Sequence, residues 1–403
     1  MYISNKIRLY PNNKQRTLLA KSCGVARFAY NWALNEWTTQ YQAGYKPTEA
    51  KLRKQLNAIK KQQFPWMCEV SARCSLHAIK NLGKAFDRFF KKKSNYPKFK
   101  KKSMGDSFTL DYNSGCNFEI DGKKIRIQKI GWVRLAETLR FEGRLVQSTI
   151  SHEADRWYVS ICCETTDIQP FQSIDKAIGV DVGVRQYADS KGRFYEVPRV
   201  YRSLERKLRR LQQSLSRKKK GSTNREKARI KVARCHLHIK NTRTDWLHKL
   251  TTDLIRNNQT IGIEDLNIKG MTKNHHLTKS ILDAAFGEFS RQSKYKSLWY
   301  GRNLVIADRW FASSKICSTC GAKTKQKLGL HVREWNCENC DTRHHRDTNA
   351  AVNLETYAVG STVSACGEFK TSNAIAYCDP VKSPRKPKHR KKQESHTNLV
   401  TIR

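Results

Sequence analysis

Three acids and four cysteines carry the chemistry that this sequence offers. Asp181 stands near the end of an apolar run, Ala177-Ile178-Gly179-Val180-Asp181-Val182. A charge on a buried strand is unfavourable unless it is paired or binds a cation. Glu264 closes a second such run, Ile261-Gly262-Ile263-Glu264. Asp347 precedes a stretch of helical pattern from Thr348 to about Ala358. In open α/β sheets, sites form beyond the carboxyl ends of strands, so Asp181 and Glu264 can converge there. Three carboxylates around one point suit two hard divalent cations, which activate water and stabilise the leaving oxygen of a phosphodiester. Singly, each acid also has a structural reading. Asp347 could cap a helix, Glu264 could pair with an arginine, and Asp181 could sit in a turn before Gly183.

Cys317-x2-Cys320 and Cys337-x2-Cys340 form two knuckles, each presenting two thiolates to one metal. Together they predict a closed tetrahedral zinc site, structural because no coordination position is left open. Gly321 follows the first pair, where a tight turn is useful. The chain has 13 cysteines, an odd count with irregular spacing outside this cluster, which argues against a disulfide framework.

The elements that must position these residues follow from periodicity. Ile3 to Tyr10 alternates as a strand. Helical patterns follow over Lys14–Tyr45, Thr48–Gln62 and Ser71–Phe90, and then a basic segment from Lys91 to Lys102. From Phe108 to Thr165 the period is two, with Asp121-Gly122 as a hairpin turn. This reads as a β-barrel or sheet whose first strand is Ile3–Tyr10, interrupted by a helical insertion. After a polar connection from Thr166 to Asp175 the pattern becomes α/β. Strands are expected at Ala177–Val184, Phe194–Val197, Thr260–Glu264 and Leu304–Ile306, with a single helix over Ile281–Tyr300. Arg199 to about Leu250 is a basic helical hairpin split at Lys218-Lys219-Lys220-Gly221-Ser222, with Leu204, Leu208, Leu211 and Leu215 as an apolar stripe.

Charge narrows the partner. Lys and Arg number 78 against 35 Asp and Glu in 403 residues, a formal net charge of +43. Self-repulsion of that size is relieved by a polyanion, and nucleic acid fits best because phosphate contacts release counterions. The sequence shows neither a long apolar run nor a signal peptide, so a cytoplasmic protein with no membrane partner is expected.

The motifs around the acids resemble the three split RuvC motifs of the TnpB family of transposon-encoded, RNA-guided DNA endonucleases, relatives of the type V CRISPR nucleases. They are Gly179-Val180-Asp181-Val182-Gly183-Val184, then Ile261 to Met271, then His344-His345-Arg346-Asp347-Thr348-Asn349-Ala350-Ala351. Gly287-Glu288-Phe289, Tyr295-Lys296, Trp299-Tyr300-Gly301 and Ser313-Ser314 match the linking segments, and the resemblance covers about residues 3 to 355. Two departures stand out: His345 where the family usually has Asp, and Ala285-Phe286 where Gly-Trp is common.

The resemblance implies a multidomain α+β and α/β protein. A wedge-like β-barrel would comprise 1–12 and 104–168, with a helical recognition insertion over 13–103. A ribonuclease-H-like RuvC domain would span 172–314 and 343–360, including the hairpin 199–250, with a zinc ribbon at 315–342 and a basic, disordered tail at 361–403. It also implies a nucleoid-associated monomer with a guide RNA encoded at the transposon end, cutting target double-stranded DNA beside a short flanking motif. Asp181, Glu264 and Asp347 would hold two Mg2+, and Cys317, Cys320, Cys337 and Cys340 one Zn2+. Arg73, His77 and Lys80 fall where the flanking motif would be read, and Lys218, Lys219 and Lys220 where nucleic acid would be gripped.

Four other readings compete. One is a guided DNA-binding repressor without cleavage; another is a strand-transferring transposase. A tyrosine nuclease using His236 and His238 would need them on a strand, and a zinc-ribbon transcription factor would leave the acids unexplained.

Overall fold

Alternation along the first strand puts Ile3, Ile7 and Leu9 on one face, and that face is buried. The computed structural model describes residues 1–102, 105–112, 116–166, 168–325, 328–329 and 332–366. Strand β1 (Tyr2–Tyr10) leads into helices α1 (Asn13–Gln42), α2 (Glu49–Gln63) and α3 (Ala72–Phe90). Each helix starts where the sequence supplies a cap. The side chains of Asn12, Thr48 and Ser71 accept from backbone N–H groups of the first turn, and Gln15 returns a bond to Asn12.

Strands β2 (Asp106–Asp111), β3 (Phe118–Asp121), β4 (Lys124–Ile127), β5 (Gly131–Leu135), β6 (Arg144–Glu153) and β7 (Arg156–Glu164) follow. They form one antiparallel sheet in the order β2-β6-β7-β1-β5-β4-β3. The first strand of the chain is therefore its centre, paired with β7 from Tyr2 opposite Glu164 to Leu9 opposite Trp157. Of the β-barrel or sheet expected, the described residues show the sheet, with no ladder between β2 and β3. Its edges meet through side chains rather than a ladder. Asn117 Nδ2 donates to the Asp111 carbonyl at 3.0 Å, and the Tyr112 and Phe118 rings lie 5.5 Å apart. The helices do not form a separate core. Leu19, Leu52, Leu82 and Phe86 belong to the same buried cluster as Ile7, Leu110 and Val159 of the sheet.

The second half alternates strand and helix. Strands β8 (Ala177–Val182), β9 (Gln186–Asp189) and β10 (Phe194–Glu196) precede the long hairpin α4 (Val200–Ser216) and α5 (Thr223–Asn257). Then come β11 (Thr260–Glu264), α6 (Ile268–Met271), α7 (His275–Ala284), α8 (Phe286–Tyr300) and β12 (Asn303–Ala307). The sheet order is β10-β9-β8-β11-β12, with β8, β11 and β12 parallel. Parallel neighbours need crossovers, and α4–α5 and α6–α8 supply them. A two-stranded ribbon, β13 (Glu334–Asn336) and β14 (Arg343–His345), leads into α9 (Arg346–Cys366).

Two expectations are corrected here. The single helix over Ile281–Tyr300 is two, broken at Ala285, which takes φ 57° and ψ 39°. Tyr187 Oη donates to the Ala284 carbonyl at 2.8 Å, taking an acceptor that a continuous helix would use, and Phe289 turns inward against Tyr187. The last helix starts at Arg346 and runs to Cys366, so Asp347 lies inside its first turn and residues 361–366 are helical. The rest of the expected disordered tail, from 367, lies outside the described residues. Among the described residues no helix is long and apolar enough to cross a membrane.

Candidate active site

Register brings the first two acids together. Val180 of β8 and Ile263 of β11 are Cα partners, so Asp181 and Glu264 follow them at the carboxyl ends of adjacent parallel strands. The third arrives with α9. Gly179 and Gly262, also Cα partners, leave room for that helix. A Cβ on Gly179 would lie 1.8 Å from the Ala351 carbonyl oxygen, and one on Gly262 2.3 Å from that of Leu354. The helix backbone thus rests against the strands, and Asp347, one turn before Ala351, reaches the strand ends with 8% exposure.

The electrostatics follow from this crowding. Burial pushes the Asp181 carboxyl well above the usual carboxylate range; repulsion from Glu264 and then Asp347 adds to it, and Arg346 partly opposes it. Ser313 Oγ donates to Glu264 Oε1 through a short bond. Arg333 donates to both Asp347 oxygens, at 3.2 and 3.0 Å. A cleft of about 340 Å³ opens beside Glu264, lined also by Asp308, Arg309, Ser313 and Lys323. Hard oxygen donors, partly neutralised and still repelling, are a donor set for divalent cations.

The cysteines come closer. Among the described residues they are the group whose ligand atoms all lie within 4.8 Å of one another. The Cys317–Cys340 and Cys320–Cys337 sulfur pairs are each 3.6 Å apart. The two knuckles repeat one backbone design: Gly321 N–H donates to the Cys317 carbonyl and Asp341 N–H to that of Cys337, each at 2.9 Å. Gly321 and Asp341 both take left-handed φ, 74° and 53°. The Ala322 N–H, foremost, pulls the Cys320 thiol down to about 6. A tetrad so spaced fits zinc. His344 Nε2 lies 3.0 Å from Cys317 Sγ, and the His345 ring packs edge-on against Phe194 at 4.9 Å.

The nucleic-acid candidates are dispersed. Arg73 and His77 both face Asp111, at 3.5 and 3.3 Å. His77 and Lys80 line a groove of about 960 Å³ between α3 and strands β2 and β6, whereas Arg73 lines a separate hollow towards α2. Lys218, Lys219 and Lys220 form the α4–α5 turn, the last two exposed, and Arg225 clamps it by donating to the Leu215 and Lys218 carbonyls at 2.8 Å. His236 and His238 lie in helix α5, not on a strand.

Arg333, Ser313 and Asp283 were not legible as site residues. Asp283 accepts from the Tyr201 N–H at 3.1 Å and so anchors the start of α4. Ser313 had a signal, the Ser313-Ser314 pair ahead of Cys317, without a role. Arg333 and Asp283 had none, because their partners are distant in sequence.

Comparison with known proteins gives matches along the chain. The family model described as "Probable transposase" matches residues 160–275, "Cas12f1-like, TNB domain" matches 286–354, and "Helix-turn-helix domain" matches 1–46. In that last span the chain forms β1 and the whole of α1, with Ala43 as its C-cap. A Streptomyces pristinaespiralis protein named "Putative RNA-guided DNA endonuclease" is 39% identical over 374 residues, 90% of each chain. InsQ of Escherichia coli K12, given the same description, is 31% identical over 91% of this chain and 94% of its own. A solved chain from a Cas12f1-sgRNA-target DNA complex aligns with a TM-score of 0.54 over 88% of this chain and 98% of that one, at 13% identity, a likeness of fold.

Proposed function

The chain belongs to the TnpB family of RNA-guided DNA endonucleases, and from that premise we propose that Asp181, Glu264 and Asp347 cut target DNA as one magnesium-dependent unit. The observation that carries the assignment is the position of Asp181, half-buried at a strand end against two other carboxylates. Such a group is held in its charged form by cations. Two Mg2+ bound there would polarise the phosphodiester and activate water, the two-metal chemistry suited to oxygen ligands. Ser313 orients the Glu264 carboxylate, and Arg333 balances Asp347 from the ribbon side. One Zn2+ on Cys317, Cys320, Cys337 and Cys340 would fix the ribbon, and with it Arg333.

The remaining parts divide the labour. The hairpin of α4 and α5, with Lys218, Lys219 and Lys220 at its tip, grips a guide RNA encoded at the transposon end. The groove holding His77 and Lys80, with Arg73 beyond Asp111, takes the DNA flanking the target. The spans 1–12 with 104–168, 13–103, 172–314 with 343–360, and 315–342 act as wedge, recognition, nuclease and ribbon parts, the wedge strands curling into a barrel. The working form is a cytoplasmic monomer with RNA.

The test is cleavage of guide-matched duplex by Asp181→Ala, Glu264→Ala and Asp347→Ala. Each should abolish magnesium-dependent cutting and keep guided binding, and the triple variant should be no worse than the singles, since groups that act as a unit are not additive. Cutting by Asp181→Ala at near the parent rate would overturn the assignment. Guided binding by an uncut parent would mark a repressor, and joined strands a transposase.

A further inference from the structure

We infer that Trp310 is a stacking platform for an unpaired base of the DNA strand entering the cleft beside Glu264. The inference rests on the nuclease assignment and adds a strand-positioning residue to it.

Trp310 sits at the apex of a turn that follows β12. Asp308 builds that turn twice over: its Oδ1 accepts the Trp310 N–H at 2.8 Å, and its carbonyl accepts the Phe311 N–H at 2.9 Å. Both neighbours are tied down. Arg309 is ion-paired to Asp265, and Phe311 packs against Tyr357 with ring centroids 4.8 Å apart. Trp310 alone is free, 88% exposed, the most exposed large apolar side chain among the described residues. An indole is the largest apolar surface a residue can present, and leaving it in water forgoes its burial.

Its surroundings select the ligand. Arg309 and Phe311, on either side of it in sequence, line the cleft that also holds Glu264, Asp265, Asp308, Lys315 and Lys323. Asp308 and Arg309 are themselves exposed, so the indole stands among charges rather than in an apolar patch, unlike a protein-docking surface. A flat aromatic face beside cations matches single-stranded nucleic acid, whose bases stack and whose phosphates pair. A base inside a duplex already has both faces covered, so the indole can stack only on an unpaired one. The platform therefore favours single-stranded DNA and sets which phosphodiester lies over the acids.

The test uses the full chain loaded with its guide RNA, in an Asp181→Ala background so that the DNA stays whole. The probe is a single strand carrying 2-aminopurine at successive positions, offered alone and within guide-matched duplex. With Trp310 or Trp310→Phe, fluorescence should be quenched at one or two neighbouring positions. With Trp310→Ala that quench should vanish, and affinity for the unmodified single strand should fall about tenfold. An abasic nucleotide at the quenched position should erase the difference between Trp310 and Trp310→Ala. The proposal is overturned if no position distinguishes the two, or if the loss persists with the abasic strand. Quenching is read without cleavage, so a failure of the Asp181 assignment shows separately, as cutting by the Asp181→Ala protein.

Discussion

Gly179 and Gly262 face each other across β8 and β11, and the backbone of α9 crosses directly over both. Side chains at either position would hold the helix off the sheet and lift Asp347 away from the strand ends. Gly179→Ala is therefore expected to destabilise the protein by about 3 kcal/mol, the upper range for overpacking against backbone that cannot yield. It should also reduce cleavage by more than the folded fraction accounts for. Gly24 in α1 has open space around its Cα. Gly24→Ala should instead be neutral or stabilise by about 0.5–1 kcal/mol. Urea unfolding of the two variants, with cleavage measured on the folded protein, checks both.

Ala285 carries a left-handed backbone that a β-carbon disfavours. Replacing it with glycine should stabilise the α7–α8 junction by about 1 kcal/mol, visible as a higher unfolding midpoint. An unchanged or lower midpoint would show that the methyl group's packing outweighs the backbone relief.

The ribbon should be metal-dependent. Elemental analysis is expected to find one zinc per chain, and Cys337→Ser to lose it. Trp335, 5% exposed beside the cysteines, should then become solvated, shifting its emission to the red, while the main unfolding transition is retained. A native protein free of zinc would contradict this.

Lys296 is a buried cation with no carboxylate partner among the described residues. Its ammonium donates to the His248 carbonyl at 2.9 Å and to the Thr251 and Thr252 hydroxyls at 2.7 Å, and burial pushes its pKa from 10.5 down to about 8. Between those values the unfolded chain holds the proton more tightly than the folded one. Stability from this group therefore rises as pH climbs through that window and is lost as pH falls back to about 8. Denaturant titrations at pH 8 and pH 10 should show the parent gaining on Lys296→Met at the higher pH. A difference independent of pH would refute it.

The legible parts of this protein were those written locally. Apolar runs ending in Asp181 and Glu264 announced strand ends, and the cysteine spacing announced the knuckles. The helical patterns expected from Thr48 and Ser71 start where α2 and α3 are capped. What escaped was decided by distant partners. The departure at Ala285-Phe286 was noted without its meaning, because the break there is supported by Tyr187 on another element. Arg73 and His77 looked free for DNA, but Asp111 lies against both. The edges of the first sheet meet through Asn117 and Tyr112, a side-chain closure with no periodic signature.

The place of β1 at the centre of its sheet has a consequence for a chain made from one end. Its neighbours, β5 and β7, lie at residues 131–135 and 156–164, so β1, made before either, waits for both before it is sheltered. Contacts so far apart in sequence form slowly and leave edges exposed meanwhile. The same order governs the acids: Asp181 and Glu264 are made before Asp347. A polypeptide released prematurely, anywhere between residues 265 and 346, holds Asp181 and Glu264 but lacks Asp347 and the whole of α9, whose backbone rests over Gly179 and Gly262.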